Sequence, residues 1–214
     1  MTYALAVAEK CEERGFDAVT LNDVDGMKKL LGTPPALMFQ LLDAWCGVST
    51  TPENDVMGNV TQLMMRFGTG QMAPYAEFYE FFENSVLCGV PDYVPRFATD
   101  GPAKLWPSAF GLLNTSFPSV SRFRDGPVTL CRLFSMDGEY KMHLFTGTAS
   151  QPPAWEECGW EAPAPRLSSL EVALDCGMEA FSQKVTSQHI ILTYGDQTDY
   201  VRQLCYLLDI GIVT

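Results

Sequence analysis

Three short segments hold the residues of this chain that could do chemistry. Only two histidines occur, His143 and His189, so any imidazole-dependent step must use one of them. Glu53-Asn54-Asp55 places two carboxylates within three residues. Glu77 is embedded in Ala73-Pro74-Tyr75-Ala76-Glu77-Phe78-Tyr79-Glu80-Phe81-Phe82. A carboxylate buried in so apolar and aromatic a run is costly unless it is paired or bound to a metal. Two carboxylates and one imidazole can hold a divalent ion of the Mn²⁺ or Fe²⁺ kind and leave positions open for substrate oxygens. Each residue also has an ordinary local reading. Glu53 suits the first turn of a helix, where the dipole favours an acid. Glu77 suits the wet face of an edge strand. His189, ahead of Ile190-Ile191-Leu192-Thr193-Tyr194, suits a structural histidine whose ring is satisfied locally. His143, in a hairpin strand, is read as structural. Local sequence does not say whether Glu53, Glu77 and His189 converge.

Other chemistries find less support. No GxSxG elbow serves a Ser-His-Asp triad. Gly68-Thr69-Gly70 and Thr146-Gly147-Thr148 fit neither a phosphate-binding loop nor a dinucleotide fingerprint. Seven cysteines without a CxxC pair give neither a zinc ribbon nor a thioredoxin-like site. They are expected to be reduced and mostly buried. The chain of 214 residues is 47% hydrophobic and 19% charged, a globular composition. Its net charge of −12 repels phosphate backbones and anionic lipid surfaces, so neither nucleic acid nor membrane is expected as a partner. The apolar run Ala4–Ala8 is followed at once by Glu9, Lys10, Glu12 and Glu13, unlike a secretory leader. A cytoplasmic enzyme acting on a neutral substrate is expected.

The elements that must position these residues are readable in outline. Residues 3–14 read as a helix with Ala4, Ala8 and Cys11 on one face and Gly15 as its stop. Residues 16–21 read as a short strand, with Asn22 and Asp23 opening a loop at its end. Pro34-Pro35 starts a helix over 36–45, apolar on several sides. Residues 46–50 form a small strand. Residues 55–67 read as a helix burying Val56, Val60, Leu63, Met64 and Phe67 on one face. From 71 to 165 the texture changes: 11 of the 14 prolines lie there. Val128–Met136 and Glu139–Phe145 joined by Asp137-Gly138 predict a hairpin. Period-2 alternation puts Glu77 with Tyr75 and Tyr79, and leaves Glu80 and Glu83 to solvent. Residues 167–184 read as helical, 189–194 as a buried strand, 198–208 as a helix capped near Asp196 or Thr198, and 210–213 as a closing strand. A chain that opens on a helix of an α/β unit suggests that a strand lies upstream.

The order of these segments resembles the L-fucose isomerase / L-arabinose isomerase-like superfamily, specifically its C-terminal catalytic half. Glu53-Asn54-Asp55, Gly58, a helix ending at Thr69-Gly70 and then Tyr75-Ala76-Glu77, 24 positions after Glu53, resemble the family's metal-binding stretch. Gly126-Pro127-Val128-Thr129-Leu130, Asp137-Gly138 and Thr146-Gly147 look like its next conserved segment. Gly159-Trp160 with Pro165-Arg166-Leu167 resembles a substrate-side loop, and Gln188-His189 through Thr193-Tyr194-Gly195 the strand that supplies the metal-binding histidine. Glu77 stands where relatives usually carry Asp, Gln188 where they carry Asn, and Leu87-Cys88-Gly89 where many carry His-Cys-Gly. The family's chains are also more than twice as long as this one.

The resemblance implies an α/β fold: a partial Rossmann-like α/β layer over 1–70, carrying Glu53, followed by a β-rich, antiparallel barrel-like domain over 71–214, carrying Glu77 and His189. It implies Mn²⁺, or another divalent metal, held by Glu53, Glu77 and His189, with Glu53 and Glu77 also the acid/base pair. Trp160 would stack on the sugar and Gln188 would hydrogen-bond one of its hydroxyls. The implied activity is aldose–ketose isomerisation of a small sugar through an ene-diol, in a homo-oligomer and as part of a longer chain or complex. The alternative is a truncated or non-catalytic paralogue that binds sugar without turnover.

Overall fold

The structure, a computed structural model, describes residues 2–90, 92–110, 113–152 and 167–214. It opens with α1 (Thr2–Arg14), which buries Ala4 and Cys11 as the periodicity predicts, and ends at Gly15 with φ 64°. β1 (Ala18–Thr20) follows. The next segment is a helix rather than the expected loop: Asp23–Leu31 winds as a π-helix. Asn22 caps it, its side chain accepting from the Asp25 and Gly26 N–H groups, both at 3.3 Å. α2 (Ala36–Cys46) leads to β2 (Ser49–Thr51), which pairs parallel with β1. Among the described residues this parallel sheet has two strands.

α3 (Val56–Thr69) corrects the sequence reading of its buried face. The residues turned inward are Gly58, Asn59, Thr61, Gln62 and Met65. Val56 (57% exposed), Val60 and Phe67 (68%) face solvent instead. The reason is polar: the inward face packs against the strands β1 and β2 and against the barrel, where backbone groups need partners. The Gln62 amide donates to the Ala73 carbonyl at 2.7 Å, and the Thr61 hydroxyl accepts from the Leu133 N–H at 2.9 Å. An unmade buried hydrogen bond costs ~1–3 kcal/mol, comparable to the gain from burying a valine.

The remaining strands build a barrel. β3 (Tyr75–Phe81) and β4 (Ser85–Val90) form a hairpin. β5 (Ser108–Phe110) and β6 (Leu113–Ser116) pair separately. β7 (Gly126–Met136) and β8 (Glu139–Ser150) form the predicted hairpin, with Asp137 and Gly138 at φ 56° and 82°. Positive φ at both central residues matches the twist of the strands. Ser168–Leu174 is a strand, β9, and only Met178–Ser182 (α4) is helical, so the helix read over 167–184 is wrong. Its Ser-Leu-Glu-Val-Ala-Leu stretch alternates buried and less buried positions and pairs with β4 and β8 on its two sides. β10 (His189–Tyr194), α5 (Thr198–Leu207) and β11 (Gly211–Val213) complete the chain. β8, β7, β10, β3, β4 and β9 close into a six-stranded antiparallel ring, and β11 adds parallel to β8. β3 lies between β10 and β4, so the edge-strand reading of Glu77 is also wrong.

Alternation along the strands sorts two cores. Ala76, Phe78, Val128, Leu130, Ile190, Leu192 and their neighbours fill the barrel. Tyr75, Cys131, Leu133, Leu144 and Ile191 lie on the other side, covered by Met65 of α3 and by Val201 and Cys205 of α5. His189 and Glu77 alternate with Ile190 and Ala76, which places them on this outer wall, under the N-terminal end of α3.

Candidate metal centre

Three segments converge on the outer wall. His189, the first residue of β10, stands directly opposite Glu77 of β3 in the antiparallel ladder. The ladder is pinned there by the Phe78 N–H donating to the Gln188 carbonyl at 2.9 Å. Glu53 arrives from the loop between β2 and α3. One ligand atom from each of Glu53, Glu77 and His189 lies within 4.8 Å of the others. Glu53 Oε2 is 3.3 Å from His189 Nε2. These are the three residues singled out in the sequence, and the fold brings them together.

The Glu53 loop is held in an uncommon conformation. Glu53 and Asn54 have φ of 61° and 56°. Left-handed backbone at non-glycine residues costs on the order of 1 kcal/mol or more each and persists where surroundings impose it. Here the Glu53 N–H donates to Asp23 Oδ1 at 2.7 Å, and the Asn54 N–H to the Leu21 carbonyl at 2.8 Å. Asp55, next along, caps α3 by accepting from the Gly58 N–H at 2.8 Å. The local reading of this segment as a helix start is therefore correct for Asp55, while Glu53 is left with its side chain 42% exposed.

The electrostatics favour a cation. Burial, then the Glu53 and Asp92 charges, push the Glu77 carboxyl up to about 7. Burial likewise pushes Asp92 up to about 7, against the pull of Lys28. Lys28 pairs with the buried Asp23 at 2.8 Å. Burial depresses the basicity of His189 more than Glu53 and Asp55 raise it, which keeps the imidazole neutral and able to donate a lone pair. Its Nε2 is buried without a hydrogen-bond partner. That nitrogen, 3.3 Å from Glu53 Oε2 but not aligned for a hydrogen bond, makes with the Glu53 and Glu77 carboxylates a donor set of the kind that could hold a Mn²⁺- or Fe²⁺-like ion.

The other proposed contacts fare differently. Gln188 is exposed, and strand alternation turns it away from the face that carries His189. Trp160, with Gly159, Pro165 and Arg166, lies outside the described residues. His143 is structural, 2% exposed among Phe145 and Phe181 at ring-centre distances of 4.9 and 5.7 Å. Sequence reasoning passed over Asp23, Lys28, Asp92, Arg132 and Tyr75. One signal was available for Asp23: like Glu53, it follows the C-terminal end of a parallel strand, where such folds place ligands. Arg132 and Tyr75 carried none, because their shared partner Asp55 is 77 and 20 residues away.

Comparison with known proteins gives no matching family model and no match among curated sequences.

Proposed function

We propose that this chain carries the catalytic core of a metal-dependent aldose–ketose isomerase of the L-fucose isomerase-like kind, with Glu53 and Glu77 as acid and base. The observation that carries this reading is the convergence of Glu53, Glu77 and His189, drawn from a loop and two strands, with His189 Nε2 buried and unpartnered. In this reading α1–α3 with β1 and β2 are a partial Rossmann-like layer set beside the barrel.

Glu53, Glu77 and His189 would hold the ion, with Mn²⁺ the expected metal. When bound, it would supply Lewis acidity to the two substrate oxygens whose charge builds up as the ene-diol forms. His189, kept neutral, contributes its lone pair and no charge. Glu77, a carboxylate within reach of the same point as the ion, would take the proton from one substrate carbon. Its position opposite His189 holds it against the ladder. Glu53, the more exposed of the two, faces the side from which a sugar arrives and exchanges the proton on the neighbouring carbon. The substrate class is a small neutral aldose, in keeping with a centre whose carboxylates would repel an anion.

The test is turnover. The protein with Mn²⁺, given a panel of aldoses, should form the matching ketoses, and Glu53→Gln and His189→Ala should each lose at least about 100-fold in kcat/KM. Near-normal turnover in either variant would overturn the assignment. Mn²⁺ and sugar binding without any turnover would favour the non-catalytic sugar-binding reading.

A further inference from the structure

Asp55 is a third carboxylate at this centre, and its surroundings keep it from serving as a ligand. Asp55 Oδ2 is 3.9 Å from His189 Nδ1. Yet both of its oxygens are fully engaged elsewhere. Oδ1 accepts from the Gly58 N–H and from Arg132 Nη2, each at 2.8 Å. Oδ2 accepts from the Tyr75 hydroxyl at 2.9 Å and from Arg132 Nη1. Arg132 reaches across from β7 and is 9% exposed. Burial alone would raise the Asp55 pKa, but the Arg132 and Gly58 hydrogen bonds hold it below the usual carboxylate range. The Tyr75 ring packs against the His189 ring with centres 4.8 Å apart. The three groups meet where Gly58 has no side chain: a Cβ there would lie 2.6 Å from Arg132 Nη1, 2.7 Å from Asp55 Oδ2 and 2.8 Å from Tyr75 Cε2.

We infer that Arg132 is a positioning residue that withdraws Asp55 from the ligand set and so fixes the two ligands on either side of it, Glu53 and His189. This rests on the reading of Glu53, Glu77 and His189 as metal ligands. The first argument is charge. Two carboxylates and a neutral imidazole balance a divalent cation. A third free carboxylate would leave the centre with an excess negative charge and compete for the positions that substrate oxygens need. Arg132 cancels that charge with a bidentate clamp. The second argument is geometry. Glu53 is two residues from Asp55, a span of ~7 Å at most, and the backbone at both 53 and 54 is left-handed. The anchoring of Asp55 adds to the bonds from the Glu53 N–H to Asp23 and from the Asn54 N–H to the Leu21 carbonyl in fixing this turn and the direction of Glu53. On the other side, Asp55 holds the Tyr75 hydroxyl, and Tyr75 holds the imidazole plane. The guanidinium fork matches both carboxylate oxygens at once, which a lysine ammonium cannot do.

The test measures Mn²⁺ affinity by calorimetry, and the Mn²⁺ resonance spectrum, on the whole chain. The variants are Arg132→Met, Arg132→Lys, the double variant Arg132→Met/Asp55→Asn, and Val172→Ala. Val172 is buried in β9, away from this centre, and controls for loss of stability. Arg132→Met should shift the Mn²⁺ affinity by about 10-fold or more, the usual size of the effect of losing a group that orients a ligand. It should also change the Mn²⁺ spectrum, because Asp55 becomes free to bind. Arg132→Lys should fall between it and the wild type. The double variant should recover a spectrum closer to the wild type, and Val172→Ala should bind normally. If Arg132→Met does not fold, an affinity shift of at least about 3-fold in Arg132→Lys carries the inference. Wild-type affinity with an unchanged spectrum in the folded Arg132 variants overturns it, as does an equal shift in Val172→Ala. A wild-type protein that binds no Mn²⁺ overturns the metal reading itself, and is recognised without any variant.

Discussion

Glu77 and His189 are direct partners across the β3–β10 ladder, and a carboxylate oxygen of one lies within 4.8 Å of a ring nitrogen of the other. The pairing of their backbones does not depend on a loop. With Glu53 laid over them, they form a group whose charges repel one another unless a cation is present.

On the proposed reading, Mn²⁺ binding to this group should stabilise the folded chain. Mn²⁺ at 100 times its Kd adds about 2.7 kcal/mol, which for a domain of this size raises Tm by roughly 5–10 °C. The shift should vanish in His189→Ala and be restored by nothing short of the imidazole. Differential scanning fluorimetry with Mn²⁺ against EDTA measures it. A wild-type shift that survives in His189→Ala places the metal elsewhere.

Glu77 makes the metal-free protein sensitive to pH. Its folded pKa, about 7, is above the ordinary value of 4.5. The folded state therefore holds this proton more tightly than the unfolded state does. The stability so gained is complete below pH ~4.5 and is lost as pH rises through 7, with each tenfold difference in proton affinity equivalent to ~1.4 kcal/mol. In EDTA, Glu77→Gln should melt several degrees above the wild type at pH 8, with the gap closing by pH 5. A variant less stable than the wild type at pH 8 contradicts this.

His143 acts in the opposite direction. Burial among Phe145 and Phe181, with the Lys184 charge nearby, lowers its pKa from 6.5 to about 4. The unfolded state takes the proton first, so stability present above pH 6.5 is lost as pH falls toward 4. His143→Phe removes this contribution. Its Tm should decline less than that of the wild type between pH ~6.5 and ~4.5, by about 1–2 kcal/mol in equivalent stability. Parallel pH–Tm curves for the two proteins would count against it.

Gly58→Ala sets helix propensity against packing. Alanine is favoured by ~1 kcal/mol inside a helix. The added methyl would press into Arg132, Asp55 and Tyr75 at 2.6–2.8 Å. Overpacking of this kind costs ~1–3 kcal/mol, so the variant should be less stable in urea denaturation despite its better propensity.

The two faces of α3 give a direct check of the fold. Val60→Lys on the solvent face should change stability by less than ~0.5 kcal/mol. Gln62→Leu, which leaves the buried Ala73 carbonyl without its donor, should cost ~1–3 kcal/mol. Denaturant melts with these costs reversed would restore the amphipathic reading of the helix.

What the sequence determined by itself was local. Gly15 stopped α1, Asp137-Gly138 turned β7 into β8, and the apolar run after His189 became β10, because each depends on backbone preferences within a few residues. The candidate ligands were also visible as residue types: one of two histidines, and a carboxylate misplaced among aromatics. Tertiary structure decided the rest. The 168–174 stretch is a strand because β4 and β8 offer it hydrogen bonds on both sides, which no helical preference of its own residues could outweigh. α3 turned its polar face inward because strand-end backbone groups needed partners there. Most of all, the sequence left each of Glu53, Glu77 and His189 with a plain local explanation. Pairing of β3 with β10 set Glu77 against His189, and contacts from distant segments, Asp23 and Leu21 on the Glu53–Asn54 backbone and the buried clamp of Arg132 on Asp55 between groups 77 residues apart, surround the Glu53 turn. Charge pairing at that separation leaves no local trace, since neither partner's preference for helix or strand depends on the other.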